Sequence, residues 1–187
     1  MLEKLKAEVI LAYQELNRYG LNAYSRGIVS GIDRESGYIV MKSAKDALIT
    51  DLQGNVIEGA MESLSEILSH IAIYQAFPKL GGIVRPHARF ATIFAQTGMD
   101  IPVLGSFHKD LFHEAIPCAD SATDVGSTFR QRHMDALQTP ATLVACHSAY
   151  AWGATVLDAV TNAAALEETA NMAYHTMQLD PGILPMQ

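Results

Sequence analysis

The sequence predicts an α/β layered domain in which a central, largely antiparallel sheet is flanked by helices. Three observations carry that reading. The chain has 187 residues, 49% of them apolar and 18% charged, which suits one ordinary domain with a sizeable core and excludes disorder as a global description. Apolar residues recur at helical spacing near the N-terminus, in the middle and near the C-terminus. Between those stretches lie short β-rich runs bounded by turn residues, with no internal repeat.

The elements follow in order. Leu2, Leu5, Val9, Ala12 and Leu16 fall on one helix face, and Asn17 to Gly20 ends that helix. IVSGID (28–33) and GYIVMK (37–42) read as paired strands across a short polar turn. ALITD (47–51) and NVIEG (55–59) read as a second hairpin around Gln53-Gly54. Ile67, Leu68, Ile71 and Tyr74 form a helical run stopped by Pro78 and Gly81-Gly82. GGIVRPH is a short strand entering a turn, and Ala88 to Gln96 is a helix closed by Gly98. ATLVACH (141–147) is apolar enough for a buried strand, and AYAWG follows as a turn or short strand. A long helix begins at Thr155, and the tail LDPGILPMQ (179–187) has no periodicity and is expected to be loose.

The formal net charge is -7. No basic stripe exists, so nucleic acid is a poor partner; a small anionic substrate needs only a local cluster of donors. No apolar run reaches the roughly 18–20 residues that span a bilayer. The N-terminus is charged and amphipathic, without a secretory apolar region, and Cys118 and Cys146 make no CxxC. A soluble, reduced, cytoplasmic protein is expected.

Several residues could carry chemistry. His87 and His147 each stand where a strand runs into a turn; each reads either as a hydrogen-bonded structural histidine or as a metal ligand. Glu66 completes a Ser63-x-x-Glu66 capping box, or projects from a helix start as a proton acceptor. Ser65 in the same turn offers a hydroxyl and a backbone N–H to an anion. His108, Asp110 and His113 form a third cluster that matches no zinc motif and fits a half-exposed amphipathic turn. Cys146 is expected to be a small buried hydrophobe, since strand neighbours point to opposite faces.

The stretch YQAFPKLGGIVRPHARFATIFAQTGMDIPVLGSFHKDLFHEAIPC (74–118), with GIVSGID, GYIVMK, Ser65-Glu66 and HSAYAWG in the same order, resembles the class II aldolase family, in particular its L-ribulose-5-phosphate 4-epimerases. The resemblance covers residues 1–178, implying one class II aldolase-like domain with 179–187 as a tail. It implies an enzyme of carbohydrate metabolism that binds zinc or another divalent metal, stabilises an enediolate, and breaks and remakes a C–C bond in a phosphorylated sugar. It also implies a homotetramer with sites between subunits.

Carried over residue by residue, the resemblance gives His87 and His147 as metal ligands. Glu66 and Asp110 become the proton-moving carboxylates, and Gly27, Lys42 and Ser65 the phosphate-binding groups. The departures are as specific. The family's HxH pair reads Arg85-Pro86-His87, its GNVS loop reads Gly27-Ile28-Val29-Ser30, and its KPSG segment reads Lys42-Ser43-Ala44-Lys45. By the same resemblance the chain is expected to be shorter before residue 140 and to be without the family's C-terminal extension, which carries a catalytic tyrosine. Guanidinium has five donors and no acceptor and stays charged, so Arg85 cannot ligate zinc and opposes a dication nearby. His87, His147 and Glu66 could still hold a weakened site; equally, Arg85 could pair with Glu66 and fill the ion's space. Ile28 removes a donor from the phosphate seat, and Lys45 could restore charge.

Overall fold

Alternation along the strands decides which helices cover each side of the sheet. The computed structural model describes residues 2–43, 47–60 and 64–186. Helix α1 (Leu2–Arg18) buries Val9, Ala12 and Leu16. It ends at Gly20, whose φ of +72° is the left-handed conformation that glycine adopts without steric cost. A 3-10 turn at Ala23–Ser25 leads into an antiparallel meander of β1 (Ile28–Asp33), β2 (Tyr38–Lys42), β3 (Leu48–Asp51) and β4 (Val56–Glu58). There follow α2 (Leu64–Ala76), β5 (Gly82–Arg85), α3 (Arg89–Thr97), α4 (Ser106–Phe112) and β6 (Cys118–Ala119). The last elements are α5 (Val125–Gln131), β7 (Ala141–Val144), β8 (Ser148–Gly153) and α6 (Val156–Leu179).

Among the described residues the sheet has eight strands in the order β4-β3-β2-β1-β5-β8-β7-β6. Neighbours are antiparallel except β6 and β7. Val29, Val40, Val84, Ala149 and Ala151 face a core shared with Val9, Leu16, Phe94, Val160 and Leu166, so α1, α3 and α6 cover that side. Ile39, Met41, Ile83, Tyr150 and Trp152 face the other core with Ile67, Ile71, Tyr74 and Phe129, so α2 and α5 cover it. The period of two in the strands thus builds a three-layer α/β sandwich, as expected.

Gly82 fixes how closely β5 meets the start of α6. A Cβ there would stand 2.4 Å from Val156 Cα and 2.8 Å from Thr155 O, both backbone atoms. The N-terminus of α6 is closed by a capping box in which Thr155 and Asp158 exchange side-chain-to-backbone hydrogen bonds. The first turn of α3 is capped from a distance: the Glu167 carboxylate on α6 accepts the N–H groups of Phe90 and Ala91. Burial nonetheless holds the Glu167 pKa above the usual carboxylate range.

Of the two readings of AYAWG the strand holds: it is the body of a six-residue, fully buried strand. Other expectations need correction. ATLVACH forms strand only through Val144, and the turn that joins β7 to β8 puts Cys146 at φ +55°. Cys146 is therefore exposed, not a buried hydrophobe, and both cysteines are free thiols. The tail is not wholly loose, because the Met186 N–H donates to Val103 O at 2.8 Å. Ser63, Ala44 and Lys45 lie outside the described residues, and with them the proposed Ser63–Glu66 capping box and the restoring charge at Lys45. Among the described residues no helix is long and apolar enough to cross a membrane.

Candidate active site

One edge of the sheet gathers the end of β5, the starts of β1 and β8, and the first turn of α2. The registers enforce this: Ile28 pairs with Arg85, Val29 with Lys42, and Val144 with Ser148 across the β7–β8 turn. Even–odd alternation after Ile83 turns Arg85 toward the α2 side of the sheet, where Glu66 descends from the first helical turn.

Arg85 and Glu66 are both largely buried, with 17% and 15% of their side chains exposed, and Arg85 Nε lies 3.3 Å from Glu66 Oε2. The contact is ionic but not a hydrogen bond. The Nε–H donates to Ser148 Oγ at 3.2 Å, and Glu66 Oε2 is buried without a hydrogen-bond partner among the described residues. Arg85 Nη1 donates to the carbonyl of Arg26 at 3.1 Å, which ties the guanidinium to the segment that carries Gly27. Because arginine only donates, Ser148 Oγ accepts from it and keeps its own proton to give. His147 Nδ1, 2.7 Å from that oxygen, is placed to take it. His147 Nε2 then stands 3.9 Å from Glu66 Oε1. The His147 ring stacks on Tyr150, with 6.3 Å between ring centroids and 4° between planes.

Beneath this cluster lies a buried polar chain. Ser30 Oγ is 2.7 Å from His70 Nδ1 and 2.9 Å from the Tyr74 hydroxyl, and all three residues are fully buried. Burial, with the charge of Arg85 adding to it, pushes the His70 pKa down to about 3. Burial likewise pushes the Tyr74 phenol up, so both groups are neutral at physiological pH.

The structure thus brings together Glu66 and His147, with Arg85 between Glu66 and the Gly27 segment. His87 is exposed; its N–H donates to Leu21 O at 2.8 Å and its ring stands edge-on to Tyr24. Among the described residues, no hydrogen bond or ion pair links it to Glu66 or His147. Ser65 is exposed in the first turn of α2, one residue before Glu66. Gly27 donates its N–H to Asn22 Oδ1 at 2.6 Å, and a Cβ there would collide with that oxygen and with Leu16 Cδ2, each at 2.7 Å. Lys42 reaches the same sheet edge, but its ammonium lies 5.0 Å over the Tyr13 ring of α1, on the other side of the sheet. Asp110 is exposed on α4, and His108 on the same helix is buried with Nε2 2.9 Å from Glu114 O.

The donor set does not suit a dication. Among the described residues no three His, Cys, Asp or Glu side chains group closely enough to hold a metal ion. The carboxylate that a metal would use faces a guanidinium instead, whose fixed charge opposes a second cation. Sequence reasoning missed Ser148, whose hydroxyl joins Arg85 to His147, and the Ser30–His70–Tyr74 chain beneath.

Comparison with known proteins places these features in a family. Residues 7–174 match the sequence profile of the class II aldolase and adducin N-terminal domain. The chain is 37% identical to L-ribulose-5-phosphate 4-epimerase UlaF of Salmonella paratyphi A over 99% of this chain and 90% of that protein. The corresponding protein of Salmonella typhi gives the same figures. Among solved structures, an L-fuculose 1-phosphate aldolase superposes with a TM-score of 0.80 at 22% identity, covering 97% of this chain and 91% of that one. The l-fuculose-1-phosphate aldolase of Thermus thermophilus gives 0.75 at 20% identity, covering 98% and 100%. These likenesses bear out the expected fold, and dependence on a divalent metal is a property of the family. The chain belongs to the class II aldolase family of enzymes.

Proposed function

We propose that the chain is a sugar-phosphate epimerase or aldolase of the L-ribulose-5-phosphate 4-epimerase kind. The observation that carries this reading is the convergence of Glu66, His147 and Arg85 beside the Gly27 segment, in a chain 37% identical to named epimerases over nearly its whole length. In this reading the Glu66 carboxylate takes the proton of the C4 hydroxyl as the C3–C4 bond breaks. The bonding pair passes to the C2 carbonyl oxygen as an enediolate. Return of the pair to the opposite face of the C4 aldehyde, with the proton given back, inverts C4. The phosphate sits against Gly27 and the N–H groups at the start of α2 beside Ser65, and Lys42 would add its charge only by leaving the Tyr13 ring on the other side of the sheet.

Asp110 faces solvent from α4 and would serve a site in a neighbouring copy, consistent with a homotetramer whose sites lie between subunits. Zinc is the family metal we would expect to bind here only weakly. Two free thiols suit the cytoplasm. The Arg85–Glu66 pair favours one second reading, a ligand-binding family member without turnover.

The test is direct. Incubation with L-ribulose 5-phosphate, followed by NMR, should show its C4 epimer or the C–C cleavage products. Binding without either product would favour the second reading, and no binding at all would remove both.

A further inference from the structure

We propose that Arg85 takes the place of the family's metal, so that this site binds an oxyanion next to a hydroxyl on the guanidinium–carboxylate pair without a dication. The inference deepens the sugar-phosphate reading and rests on it.

A guanidinium carries five N–H groups. The Nε–H is given to Ser148 Oγ, and one Nη1 hydrogen to Arg26 O. The other three have no acceptor among the described residues. Yet the side chain is held by those two bonds and by the ion pair with Glu66, and is 17% exposed. A largely buried, fixed cation with unspent donors favours an oxyanion strongly, since charge-assisted hydrogen bonds gain in a partly desolvated site.

Next to it stands the complementary defect. Glu66 Oε2 is buried and accepts no hydrogen bond among the described residues, although it lies 3.3 Å from Arg85 Nε. A buried acceptor left unpaired is costly, so a ligand whose entry turns the carboxylate toward it and donates to it gains the bond without displacing another. Donors without acceptors beside an acceptor without a donor describe a ligand with an oxyanion on one carbon and a hydroxyl on the next. An α-hydroxycarboxylate has that pattern in its ground state, and the enediolate of a ketose phosphate has it in the transient state.

The same groups disfavour a metal. Arg85 contributes charge of the wrong sign and no lone pair. Ser148, oriented by Arg85, is placed to donate to His147 Nδ1.

The probe is D-3-phosphoglycerate, which carries a carboxylate, an adjacent hydroxyl and a phosphate. Its affinity for the whole protein is measured by calorimetry in excess EDTA and again with added zinc, with L-ribulose 5-phosphate titrated alongside. The expected result is binding in EDTA that changes less than about threefold with zinc. Arg85→Gln should weaken it at least tenfold while circular dichroism shows the variant folded. The EDTA comparison uses the unaltered protein and holds even if the variant does not fold. Binding of D-3-phosphoglycerate that needs zinc would overturn the inference and leave the sugar-phosphate reading standing. So would binding of L-ribulose 5-phosphate alone. Binding of neither would overturn both.

Discussion

Arg85 and Glu66 face each other at 3.3 Å at the end of β5, each mostly withdrawn from water, with Ser148 rather than Glu66 taking the Nε–H. Removing one member of such a pair leaves the other charge uncompensated. A fully buried pair loses about 3–5 kcal/mol in that way, and the residual exposure here lowers the expectation to about 1–3 kcal/mol for Arg85→Leu. Adding Glu66→Gln to that variant should recover part of the loss, because the stranded carboxylate is gone. Urea unfolding of the two single variants and the double variant checks it; additive losses would mean that the two side chains are not coupled.

The buried His70 makes acid stability informative. Its folded pKa of about 3 lies below the unfolded value of about 6.5. The unfolded chain therefore binds the extra proton first as pH falls. The stability linked to neutral His70 is complete above pH of about 6.5 and is lost progressively between about 6.5 and 3, by at most about 1.4 kcal/mol per pH unit. Unfolding free energies at pH 7.5 and 5 should differ by roughly 1–2 kcal/mol from this group, and His70→Gln should flatten that dependence. An unchanged slope in the variant would show that another group governs it.

Glu167 should matter to the segment that carries His87. It accepts the Phe90 and Ala91 N–H groups that the short helix α3 cannot satisfy itself. Glu167→Ala should cost about 1–2 kcal/mol, in the range of a lost N-cap. Amide exchange at the first turn of α3 should rise more than exchange in α1. Uniform acceleration across the chain would instead indicate a global effect without a capping role.

Gly82 tests the close approach of β5 and α6. Gly82→Ala places a Cβ 2.4 Å from Val156 Cα, a backbone atom that cannot rotate away. A loss of about 1–3 kcal/mol or more is expected from overpacking, visible as a lowered urea midpoint. An unchanged midpoint would mean that the strand and helix separate easily.

Much of the fold was legible because its periods are clean. α1 announces itself through Leu2, Leu5, Val9, Ala12 and Leu16, and the β1–β4 meander through alternation and turn residues. Strand β8 was harder: SAYAWG is buried on both faces, so its alternation of small and aromatic residues, not of apolar and polar, carries the period. Neither β6 nor α5 was anticipated, because two strand residues and two helical turns leave little periodic signal. The left-handed turn at Cys146 could not be inferred, since a non-glycine residue adopts it only where the hairpin demands it.

At the site, Glu66 and His147 were legible as types placed at a helix start and a strand end, and their approach follows from the sheet register. The pairing of Arg85 with Glu66 stood as one of two outcomes in the sequence, and the structure realises it. The linking hydroxyl of Ser148 was not foreseen, because its importance lies in a distance across strands from Arg85, not in any local pattern.

The central claim is that Arg85 weakens binding of the family's metal at this site. Calorimetric titration of zinc into the unaltered protein and into Arg85→His tests it most directly. The account predicts weak binding by the first and binding at least tenfold tighter by the second, because the substitution removes a fixed positive charge and supplies an imidazole lone pair. Equal, tight binding by both proteins would contradict it.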